Sequence, residues 1–167
     1  MRYRDFLQAD GFTFEICADD TAVLCIRRVQ SAEESRANAL TEQAKLELAA
    51  YLSAERKVLT FPVRAEGTAF QKQVWRAVSM LAYGQTCSYA AIAEAIGRPT
   101  AVRAVGRAIG ANPLLIAVPC HRVVGKSGSL TGYAAGIGLK QKLLLLEREN
   151  CEERLFTNDA QGTIIVP

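Results

Sequence analysis

The sequence predicts an α+β protein: a small α/β N-terminal unit followed by a mainly α C-terminal domain that contains a helix-turn-helix. Three observations carry this reading. Residues 12–26 alternate or run apolar on both sides of a polar turn, as paired strands do. Apolar positions from about residue 37 onward recur at helical spacing. Two short helix signatures between residues 88 and 110 flank a turn of a few residues.

Taken in chain order, Phe12-Thr13-Phe14-Glu15-Ile16 and Ala22-Val23-Leu24-Cys25-Ile26 form a hairpin around Ala18-Asp19-Asp20-Thr21. Leu40, Ala44, Leu48, Tyr51 and Leu52 mark a helix over about residues 37–54. Val58-Leu59-Thr60-Phe61-Pro62-Val63 adds a further strand, which Pro62 places at an edge. Nothing in residues 1–64 suggests chemistry, and they read as scaffold. Arg64-Ala65-Glu66-Gly67 is the boundary to a second unit, residues 65–150, with 151–167 as a loosely held tail.

The second unit opens on Thr68 and Gln71, a capping box for a helix carrying Val74, Ala77, Val78 and Leu81, with Trp75 as a core residue. Ser88 caps Tyr89 to Ile96, which Gly97 ends; Thr100 caps Ala101 to Ile109, which Gly110 ends. The second of these helices has small side chains, so its backbone can approach a narrow groove closely. Leu114-Leu115-Ile116-Ala117-Val118 reads as a buried strand ending at Pro119, which places Cys120 at the mouth of a cleft. A Gly-rich loop, residues 124–136, can wrap a pocket beside Cys120, and a last helix over about Leu139 to Glu149 presents Glu147.

Half of the residues are hydrophobic and 22% are charged, which is globular composition rather than disorder. No apolar run approaches the roughly 18 residues of a membrane span, so the chain reads as a cytoplasmic protein with reduced thiols. Five cysteines without a C-x-x-C pair, and one histidine, argue against a zinc site or a disulfide framework. The expectation is no metal and no cofactor. Of 20 basic residues, seven fall between Ala95 and Leu146, where there is no Asp or Glu; the remainder of the chain carries 13 basic and 17 acidic residues. A basic, acid-free segment in a nearly neutral protein points to a polyanion, most simply nucleic acid.

The sole histidine, His121, directly follows Cys120 in Pro119-Cys120-His121-Arg122-Val123. A thiol attacks as its thiolate, and a neighbouring base makes thiolate available near neutral pH. Adjacent strand side chains point to opposite faces, so contact between the two requires a turn or a bridging water. Free cysteine is also a common small core residue, so adjacency alone does not establish catalysis.

Ser88-Tyr89, residues 101–106, Asn112-Pro113, the PCHRV pentapeptide, Gly132-Tyr133 and Gly136 together resemble the O6-alkylguanine-DNA alkyltransferases over roughly residues 66–149. The resemblance implies repair by irreversible, once-per-molecule transfer of an alkyl group from O6-alkylguanine, with O4-alkylthymine as a second lesion class. Cys120 would be the acceptor, His121 its base through a water, Glu147 the group orienting His121, and Asn112 the brace of the active-site turn. Tyr89, Ala101, Arg103, Ala104, Gly106 and Arg122 would meet double-stranded DNA through its minor groove, Tyr89 crowding a phosphate and Arg103 filling the gap left by a flipped base. Tyr133, Ala134 and Ala135 would line the base pocket of a monomer located in the cytoplasm and on the nucleoid. Ala135 stands where some members carry glycine and others a bulkier residue, which bears on the size of alkyl group accepted. Two other readings stay open: a lesion sensor of the same fold with an inert cysteine, and a Cys-His hydrolase, which leaves the basic helix-turn-helix without a role.

Overall fold

The computed structural model describes residues 1–130 and 132–151. Three antiparallel strands, β1 (Tyr3–Ala9), β2 (Phe12–Ala18) and β3 (Val23–Val29), form a meander in the order β1-β2-β3. Asp10 and Gly11 join β1 to β2 with φ of 55° and 79°, the left-handed pair of a tight hairpin turn that glycine adopts without strain. The second hairpin is the expected one, with Asp19 accepting from the Thr21 and Ala22 amides inside its turn. β1 was not expected. Its alternation is hidden because an inward position is Asp5, a buried carboxylate held by Ser35 and Lys45.

Helix α1 (Ala39–Leu52) packs across β1 and β2. Asn38 caps it, with Thr41 returning the bond to the Asn38 amide. Phe14, Ile16, Ala18, Val23 and Ile26 face inward and share a core with Ala44, Leu48 and Tyr51. The further strand expected over residues 58–63 is not formed. Only Val63 makes a bridge, to Val23, through the Val23 amide on the Pro62 carbonyl and the Arg64 amide on the Val23 carbonyl, and Pro62 has no amide with which to extend it.

Helix α2 (Ala69–Ser79) starts at the expected Thr68–Gln71 capping box, and Trp75 is buried with its indole N–H on the Ala108 carbonyl at 2.8 Å. A two-residue strand, β4 (Cys87–Ser88), leads into α3 (Tyr89–Ala95), capped by Ser88 as expected. Helix α4 (Val102–Gly110) follows, so the helix-turn-helix is present. Its cap is not Thr100: the chain turns over Arg98–Ala101, Ala101 becomes the first residue of the helix boundary, and no side chain caps it.

Residues 114–118 do not form the buried strand expected of them. Leu114 bridges to Ile26 and Leu115 to Val118, with a reversal between in which Ile116 adopts φ of 70°. A β-branched residue pays for that conformation, about 1–3 kcal/mol, and keeps it only where the surroundings over-determine it. The chain then forms a short 3-10 turn (Cys120–Arg122), pairs β5 (Val123–Val124) with β4, and ends in α5 (Ile137–Glu149). Except for Cys151, the expected C-terminal tail lies outside the described residues.

One buried cluster runs from Leu7 to Leu143 through both halves of the chain. Backbone bonds of Ile26 to Pro113 and Leu115, at 2.8 and 3.0 Å, stitch β3 to the segment that precedes Cys120. The N-terminal unit is therefore in direct contact with the site-bearing turn.

Candidate active site

The reversal at residues 114–118 is braced from inside by Asn112. Its carbonyl oxygen accepts from the Leu114 amide at 2.9 Å, and its side-chain NH2 donates to the carbonyls of Leu114 and Val118 at 3.3 and 3.0 Å. Pro119 then starts the 3-10 turn, so Cys120 and His121 lie in a turn rather than a strand and both are buried. Cys120 is not at the mouth of a cleft. Its relative exposure is 0%, and burial pushes its thiol up to about 12, opposed by a hydrogen bond from Asn112 and by the charge of Lys140.

His121 is equally buried, and its Nε2 lies 2.5 Å from Glu147 Oε1. Glu147 also accepts from the Tyr51 hydroxyl, from Arg122 Nε at 2.8 Å and Nη2 at 3.1 Å, and from the Gly84 amide at 2.9 Å. Gly84 has φ of 80°, and a side chain there would collide with Cys151, so glycine is what lets this amide reach the carboxylate. Burial alone would raise Glu147; the hydrogen bonds from His121 and Arg122 and the adjoining positive charge overcome it and hold the carboxyl down at about 2. Desolvation lowers His121, with Arg122 and Lys140 adding to it against the pull of Glu147. His121 is therefore neutral at pH 7. Facing an ionised carboxylate, Nε2 carries the proton, and Nδ1 keeps a free lone pair.

Nδ1 of His121 is one of three buried side-chain polar atoms with no hydrogen-bond partner among the described residues; the others are the hydroxyls of Tyr133 and Tyr83. Tyr133 packs edge-on to His121 with ring centroids 6.3 Å apart. An unpartnered base thus follows a buried thiol directly in the chain, and an unpartnered donor interacts with that thiol electrostatically. A buried polar group left without any partner costs about 1–3 kcal/mol, so a water or a bound molecule is expected to complete each of them.

Of the predicted site residues, Cys120, His121, Glu147, Asn112 and Tyr133 come together here. Ala135 is buried beside them while Ala134 is exposed, and a cleft of about 580 Å³ runs between that loop and Gly11, Thr13 and Arg28. Tyr89, Ala101, Arg103, Ala104 and Gly106 lie together on α3 and α4. Arg103 is exposed, Ala101, Ala104 and Gly106 are half-buried, and Val105, Ala108 and Ile109 hold the helix to the core.

Arg122 is a correction. It does not face outward to DNA but is buried as the counter-ion of Glu147, with further donations to the Leu81 carbonyl and the Tyr51 hydroxyl. A carboxylate on the buried face of a helix needs a cation, and the residue after His121 is in reach of it.

Three contributors were not expected. Tyr51, at the C-terminal end of α1, bonds Glu147 from the half read as plain scaffold. Arg28 of β3 donates to the Ala135 carbonyl at 2.9 Å and so holds the pocket loop. Lys140 is fully buried, donates to the Val123 carbonyl at 2.7 Å and interacts electrostatically with Cys120. A signal for Lys140 exists in the sequence: it precedes Glu147 by seven residues, two helical turns, and so shares its face with Leu143.

Comparison with known proteins agrees with this geometry. Residues 69–150 match the family model described as 6-O-methylguanine DNA methyltransferase, DNA binding domain. The constitutive methylated-DNA–protein-cysteine methyltransferase of Bacillus subtilis is 46% identical, over 75% of this chain and 76% of its own length. The chain belongs to the 6-O-methylguanine DNA methyltransferase family. The inducible methylated-DNA–protein-cysteine methyltransferase of Bacillus subtilis is 54% identical over 67% of this chain, and the match spans 63% of that protein. Mycobacterium tuberculosis OGT in complex with DNA superposes with a TM-score of 0.80 at 36% identity, covering 87% of this chain and 92% of that one.

The buried position of Arg122 yields a prediction that separates the two roles. Arg122→Leu leaves Glu147 buried with one cation fewer and is expected to lower folding stability by about 3–5 kcal/mol, measured by urea unfolding. Affinity of the folded variant for undamaged duplex is expected to stay within experimental error of the parent. Unchanged stability with weakened binding would return Arg122 to the DNA surface.

Because Glu147 is held below its unfolded value of 4.5, its stabilising contribution is complete above pH 4.5 and is lost as pH falls towards 2. Glu147→Gln is expected to flatten that part of the stability–pH curve, and a curve of the same steepness in both proteins would show that another carboxylate controls it.

Proposed function

We propose that Cys120 is the acceptor through which this family member carries out alkyl transfer from methylated DNA to a protein cysteine, with His121, Glu147, Asn112, Lys140 and Tyr133 as its supporting groups. The observation that carries the reading is the pair of unsatisfied buried groups, His121 Nδ1 and Tyr133 OH, the first next to a buried thiol in the chain and the second interacting with it electrostatically. A hydrolase reading explains the Cys-His pair but not the DNA-binding family match or the acid-free basic segment.

The step is a displacement at the alkyl carbon. His121 Nδ1 accepts the Cys120 proton through a bridging water, and Glu147 stabilises the imidazolium that forms. The thiolate attacks the alkyl carbon, a C–S bond forms as the C–O6 bond breaks, and the electron pair leaves with the guanine. Tyr133 donates a hydrogen bond to the departing base, where negative charge develops. The thioether is stable, so each molecule reacts once. Lys140, a buried cation, favours the thiolate electrostatically.

A base stacked in a duplex cannot reach a sulfur with no exposed surface, which supports extrusion of the alkylated nucleotide into the protein. DNA is the partner, and we assign α3 and α4 to its minor groove. The small side chains of Ala101, Ala104 and Gly106 permit close approach, Arg103 is positioned to occupy the vacated stack, and the uncapped start of α4 leaves amide donors for a phosphate. The division of labour follows the chain. Residues 65–150 carry recognition and chemistry, and residues 1–64 brace them through Tyr51 and Arg28. The protein acts as a monomer.

Cys120→Ala is expected to abolish alkyl uptake from O6-methylguanine duplex, measured by intact mass, while binding that duplex as tightly as the parent. Alkyl uptake that persists on Cys17, Cys25, Cys87 or Cys151 would remove Cys120 from its role.

A further inference from the structure

The five cysteines differ sharply in setting. Cys87 and Cys120 are buried, and desolvation pushes their thiols up to about 11 and about 12. Cys17 and Cys25 are only partly buried and lie directly opposite each other in the β2–β3 ladder. They belong to the sheet face that also carries Glu15 and Arg27, the face opposite Phe14, Ile16 and Ile26 and so opposite the core. Directly opposed residues of an antiparallel pair have Cα atoms about 4.5–5.5 Å apart, inside the roughly 4.4–6.8 Å span that a disulfide bridges. The two thiols also influence each other's ionisation: their mutual interaction raises Cys17 and lowers Cys25, and the charge of Arg27 lowers Cys25 further.

We propose that Cys17 and Cys25 form a dithiol modification site, a pair that low-molecular-weight disulfides oxidise reversibly to a cross-strand disulfide while Cys120 stays reduced. The β2–β3 ladder pairs the two residues directly, next to a register shift between Cys17 and Ala18, so closure starts from a register already within bridging range. Cys25 is the attacking thiolate, stabilised by the Cys17 thiol and by Arg27. Its sulfur attacks one sulfur of the external disulfide, forming a mixed disulfide and releasing one thiolate. Cys17 then loses its proton to solvent and attacks the Cys25 sulfur, releasing the second thiolate. Two protein thiols are oxidised, and one external disulfide is reduced to two thiols. Cys120 has no exposed surface for such a reagent to reach and is held in the thiol form. The pair therefore reacts ahead of the acceptor cysteine. This inference is independent of the alkyl-transfer reading.

The test uses the full chain with glutathione disulfide, followed by thiol counting, intact mass and peptide mapping without reductant. The expected result is loss of two of the five titratable thiols, a mass decrease of two hydrogen atoms and a Cys17–Cys25 cross-linked peptide, all reversed by dithiothreitol. Cys17→Ser is expected to stop at one glutathione on Cys25, which the unaltered chain does not accumulate. Five thiols remaining free, or modification found first at Cys87, Cys120 or Cys151, would overturn the proposal. So would Cys25→Ser taking up glutathione on Cys17 faster than Cys17→Ser does on Cys25.

Discussion

The carboxylate of Glu147 is the constraint on which the rest of the site depends. It is 1% exposed, and a charge so placed survives only if its lone pairs are filled. The donors come from three separate parts of the chain: Tyr51 at the end of α1, the Gly84 amide after α2, and His121 and Arg122 in the 3-10 turn, all converging on α5. Each donor fixes the position of its own segment relative to the others. The same carboxylate also determines which nitrogen of His121 bears the proton, so a packing requirement and a chemical one are met by a single group.

Around that anchored centre the structure leaves specific costs in place. Ile116 is held at a positive φ by the Asn112 bracing bonds, and His121 Nδ1 and Tyr133 OH have no partners among the described residues. These features are concentrated within one turn of Cys120 or against His121. A preorganised site has this character: groups are already oriented for a charge or ligand that arrives later, and no reorganisation is required when it does.

Much of this was legible in the sequence where local rules decide. The Thr68–Gln71 and Ser88 caps, the second hairpin and the helix containing Glu147 follow from patterns spanning a few residues. Strand β1 was obscured by the inward Asp5, whose partner Lys45 is 40 residues away. Residues 114–118 are apolar enough for a strand, but the side chain of Asn112 takes the backbone groups that a neighbouring strand would have paired. The grouping of Cys120, His121 and Glu147 was available from the family resemblance. The inward turn of Arg122 was not, because a basic residue in a basic segment carries no mark of a buried counter-ion. Tyr51 was invisible for a similar reason: on an apolar helical stripe it reads as core, and only the fold reveals that its hydroxyl reaches Glu147.

His121 is the only histidine, so a ¹⁵N-histidine-labelled sample contains one imidazole to observe. The two ring-nitrogen shifts, followed from pH 5 to 8, report its protonation and tautomer directly. The account predicts a neutral ring protonated at Nε2 at pH 7, with Nδ1 free, and a midpoint below the usual value of 6.5. An imidazolium at pH 7, or a neutral ring protonated at Nδ1, would contradict it.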